Sequence, residues 1–145
     1  MNWSTYFKNI AEQVKLKSKD QLTQIGAVIV GQDNEIVSTG YNSFPRGIND
    51  DIPERQERPE KYFFMEHAER NAIYNAARIG VSTKGTTMYL TCGVPCADCA
   101  RGIINAGIIR IVLTAGGGAQ SMKWDESAKR SLQMFNEANI EVSYE

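Results

Sequence analysis

Phe7, Ile10, Ala11 and Val14 recur at three- and four-residue steps behind Ser4, a residue type that caps helices, so the pattern predicts an amphipathic helix to about Ser18. "IGAVIVG" (25–31) is a short β-branched run. After Gln32-Asp33-Asn34, "EIVSTG" (35–40) resumes the same character, and the two read as the strands of a hairpin. Residues 43–64 break both periodicities with Pro, Arg, Glu and Asp, and a loop this long within a compact domain is more often functional than accidental. In "EHAERNAIYNAARIG" (66–80), Ala68, Ala72, Ala76 and Ile79 share one face of a predicted helix, and Gly80 is its stop.

The rest of the chain alternates. "TTMYLT" (86–91) predicts a third strand, "CADCARGIINAG" (96–107) a helix ended by Gly107, and "IIRIVL" (108–113) a fourth strand. Gly116 to Gly118 read as a spacer. Trp124, Ala128, Leu132 and Phe135 mark a last helix, with Trp124 and Phe135 taken as core, and Ile140, Val142 and Tyr144 alternate as a fifth strand. Strand, helix, strand, helix, strand makes two consecutive crossovers, which run parallel and right-handed. With the antiparallel hairpin added, the expected architecture is α/β: a three-layer α/β/α sandwich around a mixed five-stranded sheet. At 145 residues it is read as a single domain.

Composition narrows the partners. A hydrophobic content of 42% and a charged content of 23% are ordinary for a globular chain, and a formal net charge of −1 gives no broad basic footprint for a polynucleotide. The start, "MNWSTYFKNIAEQV", lacks the basic and apolar segments of a secretory signal. No apolar run approaches the ~20 residues needed to span a bilayer. The three cysteines are an odd number clustered in one stretch, which suits a metal in a reducing compartment better than a disulfide framework; a cytoplasmic setting is expected.

That stretch, "TCGVPCADC" (91–99), carries the chemistry together with the only histidine, His67. Cys96 and Cys99 stand at i and i+3 where a helix begins, so both sulfurs reach one ion, and the helix N-terminus favours their thiolate forms. Pro95 suits that helix entry. His67 opens its own helix, so two helix N-termini can converge on one cation. Two arrangements compete. Cys92 as a fourth ligand would close a structural site, whereas His67, Cys96 and Cys99 alone leave one coordination position for water. Glu69 favours the open site: a structural zinc has no use for a carboxylate two residues from a ligand, but a hydrolytic zinc needs one to move protons. Cys92 is read as an ordinary small, largely buried residue.

His67-Ala68-Glu69 followed by Pro95-Cys96-Ala97-Asp98-Cys99 matches the H-x-E…P-C-x-x-C signature of zinc-dependent nucleobase deaminases. Beyond it, "WSTYFKNIAEQVKLKSKDQLTQIGAVIV", "STGYNSFPRGINDD", "HAERNAIYNAAR" and "MFNEANIEV" resemble the deoxycytidylate (dCMP) deaminases of cells and phages over nearly the whole chain. The resemblance implies a cytidine deaminase-like fold and hydrolysis of dCMP to dUMP and ammonia, supplying dUMP for thymidylate. It implies one Zn2+ per chain held by His67, Cys96 and Cys99, with Glu69 as the proton carrier. It places the Ala68 N–H on the pyrimidine carbonyl, Asn42 on the sugar, and Ser18 and Lys19 of "SKD" near the phosphate. A homo-oligomer, commonly a hexamer, is implied as well, with dCTP and dTTP as effectors and Mg2+ accompanying a regulatory triphosphate.

Three departures from the family pattern stand out. Ser43 ends a motif that usually reads G-Y-N-G and that also serves the regulatory site. Thr-Ala-Gly-Gly-Gly follows the fourth strand where many relatives carry a tyrosine. Residues 43–66 contain no Cys or His for a second, structural zinc. dCTP, a 5-modified dCMP or another cytosine nucleoside or nucleotide therefore stand as alternative substrates, and a non-enzymatic zinc-stabilised binding module as the alternative of a different class. Arg46, four residues beyond Asn42, is the one cation of the long loop read as substrate-facing. Arg55, Arg58 and Lys61 read as a solvated face balanced by Asp50, Asp51, Glu54, Glu57 and Glu60, and Arg70 and Arg78 as surface or subunit contacts.

Overall fold

A computed structural model describes residues 1–114 and 126–145. Helix α1 (Trp3–Lys15) precedes the hairpin of β1 (Gly26–Val30) and β2 (Ile36–Tyr41). A 3-10 turn (Pro53–Gln56) and the single-turn helix α2 (Lys61–Phe64) interrupt the long connection to α3 (Ala68–Ile79). Then follow β3 (Thr87–Leu90), α4 (Ala97–Asn105), β4 (Arg110–Leu113), α5 (Glu126–Glu137) and β5 (Glu141–Tyr144). The strands form one sheet in the order β2-β1-β3-β4-β5, with β1 antiparallel to both neighbours and β3, β4 and β5 parallel. The expected mixed five-stranded sheet is present.

The layers follow from strand alternation. Val28, Val30, Tyr89 and Val112 point to one face and pack with Phe7 and Ala11 of α1. Ala27, Ile29, Met88, Leu90, Ile111 and Leu113 point to the other, against residues of α3, α4 and α5. β1 is covered on both sides and buried along its whole length, which is why it reads as an unbroken apolar run. Both parallel crossovers place their helices on the α3 side, and among the described residues α1 is the one helix on the opposite face.

Several local expectations shift. The cap of α1 is Asn2, whose Oδ1 accepts the Thr5 N–H at 2.8 Å, and not Ser4. Ile79 is 67% exposed, so the buried apolar residues of α3 are Ala68, Ala72 and Ala76, with Glu69 buried beside them. Gly80 ends α3 in the left-handed region (φ +87°), where a side chain would be strained. The long connection folds on itself: Phe44 and Phe64 pack with ring centroids 5.7 Å apart, Arg55 lies 4.5 Å over the Phe64 ring, and a bridge pairs Ser43 with Glu66. Phe135 is core, as expected, while Trp124 and Gly116 to Gly118 lie outside the described residues. Among the described residues no helix is long and apolar enough to cross a membrane.

Candidate active site

The end of β3 leads through residues 91–95 into α4, at the carboxyl edge of the parallel strands where open α/β sheets commonly bind ligands. Cys96 is the N-cap of α4 and His67 the N-cap of α3, so packing the two helices side by side brings their first turns together. The His67 Nδ1 lies 3.5 Å from the Cys96 sulfur and 3.3 Å from the Cys99 sulfur, and the donor atoms of all three lie within 4.8 Å of one another. No other His, Cys, Asp or Glu group among the described residues assembles such a cluster.

Electrostatics match the geometry. The Cys96 thiol is pulled down to about 4 by a hydrogen bond from the Cys99 thiol, helped by His67 and the Cys99 backbone N–H. Cys99 is pushed up in turn, because it shares its proton with Cys96 and because it is buried. Two adjacent thiolates repel, and a dication relieves that repulsion. Hydrogen bonding to Cys96, with help from the charge of Glu69, raises His67. Burial raises the carboxyl of Glu69, a residue 3% exposed. Its Oε1 is buried without a hydrogen-bond partner, an arrangement that costs free energy unless a ligand completes it. Two sulfurs and an imidazole are the donor set that suits zinc, and the orphaned carboxylate oxygen fits a site with an open coordination position.

Cys92 stands apart from the cluster. Its sulfur donates to the Gly93 carbonyl at 3.3 Å, and burial pushes its thiol well up, away from the thiolate a metal needs. Surrounding contacts brace the ligands. The Glu66 carboxylate accepts from the His67 N–H at 3.0 Å and pairs with Arg70 at 2.6 Å, and Arg70 also faces Asp98 at 3.8 Å. Arg70 is thus an intramolecular strut across both helix starts. The Ala97 N–H donates to the Ser127 hydroxyl at 2.8 Å, tying α4 to α5.

His67, Glu69 and Cys96 line a cavity of about 270 Å³ with Asp20, Asn42 and Lys61. Ala68 is buried at the start of α3, where first-turn N–H groups have no intrahelical acceptor. The Asn42 amide is already engaged, accepting from the Ile25 N–H at 2.8 Å and donating to the Thr23 carbonyl at 2.8 Å, so it shapes the wall and retains one N–H and one lone pair for a ligand. The other expected contacts are not brought here. The Ser18 hydroxyl is buried and donates to the Asn42 carbonyl at 2.8 Å. Lys19, 68% exposed in its side chain, pairs with Asp50, and Arg46 bonds Asn75 at 2.8 Å. Lys19 and Arg46 line a neighbouring cavity of about 480 Å³ instead. The reason is that residues 43–50 turn toward α3 and not toward the metal cluster.

Lys61 corrects the sequence reading most sharply. Expected on a solvated face, its side chain is 12% exposed and its ammonium sits 2.7 Å from Asp20. Burial pushes the Asp20 carboxyl up, but Lys61 and the backbone N–H groups of Leu22 and Thr23 outweigh it and hold it below the usual carboxylate range. Forty-one positions separate the two residues, so nothing local in the sequence announces the pair.

Comparison with known proteins agrees with this geometry. The model of the cytidine and deoxycytidylate deaminase zinc-binding region matches residues 1–115. A deaminase encoded in the luxG 3′ region of Aliivibrio fischeri is 37% identical over 142 residues, covering 98% of this chain and 92% of that one. Human deoxycytidylate deaminase is 36% identical over 145 residues, covering 97% of this chain and 78% of its own length. The crystal structure of the dCMP deaminase of cyanophage S-TIM5, solved with dCMP and dUMP, shares the fold with a TM-score of 0.77 at 22% identity, over 97% of this chain and 95% of that one. With the His67-Ala68-Glu69 and Pro95-Cys96-Ala97-Asp98-Cys99 motifs brought together at one donor cluster, this chain belongs to the cytidine and deoxycytidylate deaminase family.

Proposed function

We propose that the protein is a zinc-dependent hydrolase that converts dCMP and water to dUMP and ammonia. The observation that carries this is the partnerless, buried Glu69 oxygen, in the cavity that His67 and Cys96 line, next to the His67, Cys96 and Cys99 donor cluster. Those three residues would hold the zinc, which when bound lowers the pKa of a water and so supplies a nucleophile at neutral pH. Glu69 does the proton work. As the water oxygen bonds to C4 of the cytosine, the Glu69 carboxylate takes one of the water's protons and delivers it to N3; it then takes the proton left on the C4 hydroxyl and passes it to the amino group. The C4–N bond breaks, ammonia leaves and the C4 carbonyl of uracil remains. A raised carboxyl pKa suits a group that must both accept and give protons. By the family likeness the Ala68 N–H would hold the pyrimidine carbonyl, and Asn42, which lines the cavity, would face the sugar.

The test is Glu69→Gln. Turnover of dCMP falls at least about 100-fold, the scale of lost acid–base catalysis, while zinc stays at one per chain. Full activity in that variant overturns the proposal. The family likeness further supports a homo-oligomer, cytoplasmic in setting, regulated by dCTP and dTTP with Mg2+. The larger cavity, with Lys17, Lys19, Arg46 and Arg78 around it, has the cations a triphosphate effector would require.

A further inference from the structure

A lysine is seldom buried unless it is paired, and a buried pair by itself adds little stability: apolar residues of similar volume commonly do as well or better. Lys61 and Asp20 need another explanation. Their side chains are 12% and 4% exposed, 2.7 Å apart, and both line the cavity that holds His67 and Glu69. Asp20 is fixed from behind, because its Oδ1 accepts the Leu22 N–H at 2.9 Å and the Thr23 N–H at 3.2 Å. Asp20 therefore holds the lysine in place while its own charge is drawn toward the backbone. An ammonium has three donors. Among the described residues Asp20 is its sole polar partner, so two donors remain for a ligand. Lys61 is also the only lysine or arginine among the described residues lining this cavity. Ser18 is turned to the Asn42 carbonyl, and Lys19 lines the other cavity.

We infer that Lys61 binds the 5′-phosphate of the nucleotide substrate and sets the preference for the nucleotide over the nucleoside, with Asp20 as its positioning residue. The inference rests on the deaminase reading above and adds to it which residue reads the anion. Lysine serves here as a point charge, which tolerates the different orientations a phosphate adopts between substrate and product.

The experiment measures kcat/KM for dCMP and for deoxycytidine in the zinc-loaded protein, in Lys61→Met, and in the double variant Asp20→Asn with Lys61→Met. The double variant removes both charges and avoids leaving a buried carboxylate alone. A phosphate contact predicts that the dCMP-to-deoxycytidine ratio falls roughly 10- to 100-fold in both variants, the scale of one charge-assisted hydrogen bond. Calorimetric binding of dUMP should weaken by a similar factor relative to deoxyuridine. A purely structural role lowers both substrates together, so an unchanged ratio in a folded variant overturns the inference and leaves the deaminase reading intact. A wild-type protein that turns over neither substrate sinks both.

Discussion

Gly40 controls how closely α3 approaches the sheet, and replacing it with alanine tests the link between core packing and the catalytic cluster. Gly40 pairs with Ala27 on the buried face of β2, and a Cβ added there would lie 2.3 Å from the Ala72 nitrogen and 2.7 Å from the Ala68 oxygen, both main-chain atoms of α3. Ordinary contact begins near 3.4 Å, so the helix must retreat by about 1 Å. Three hydrogen bonds lie in the path of that retreat. The Ser38 hydroxyl donates to the Ala72 carbonyl at 2.7 Å, the Asn75 amide to the Thr39 carbonyl at 2.8 Å, and the Asn71 amide to the Tyr41 carbonyl at 2.8 Å. Stretching all three, at ~1 kcal/mol each, together with an overpacking cost of about 1–3 kcal/mol, gives a loss of about 4–6 kcal/mol. The first turn of α3 carries His67, Ala68 and Glu69, whereas Cys96 and Cys99 ride on α4, so the same shift opens the metal cluster from one side. A misplacement of about 1 Å costs on the order of 100-fold in rate. Urea unfolding of the zinc-loaded protein, zinc affinity by chelator competition, and dCMP turnover measure the three consequences. Gly40→Ala with an unfolding free energy within about 0.5 kcal/mol of wild type and unaltered zinc affinity would refute the reasoning.

Cys92→Ser should leave zinc at one per chain and cost less than about 1.5 kcal/mol of stability; stoichiometric loss of the metal would show that the site is closed by a fourth sulfur. Asp20→Asn leaves the buried Lys61 unpaired, which costs about 3–5 kcal/mol near neutral pH. Because the Asp20 carboxyl is held low in the folded state, its stabilisation is fully present above the ordinary carboxylate value, ~3.9, and is lost as pH falls through the depressed one. Denaturant unfolding from pH 7 downward should therefore show the gap between wild type and Asp20→Asn narrowing below about pH 4; a gap constant with pH contradicts the assigned ion pair.

Local pattern determined the secondary elements and most of the reactive residues. Short apolar runs such as "TTMYLT" and "IIRIVL" read as strands covered by helices, and both are buried on both faces; Cys96, Cys99, His67 and Glu69 announce themselves because metal ligation and proton transfer demand particular residue types at helix starts. The cap at Asn2, the exposed Ile79 and the folded interior of residues 43–64 escaped, since each depends on how neighbouring segments compete for the same contacts. Tertiary structure alone decided that Lys61 meets Asp20 while Lys19 and Arg46 turn to another cavity. An isolated charge looks the same in sequence whether it is solvated or buried. Its role is set by desolvation and by partners that lie tens of residues away, and those exist only once the chain has closed around them.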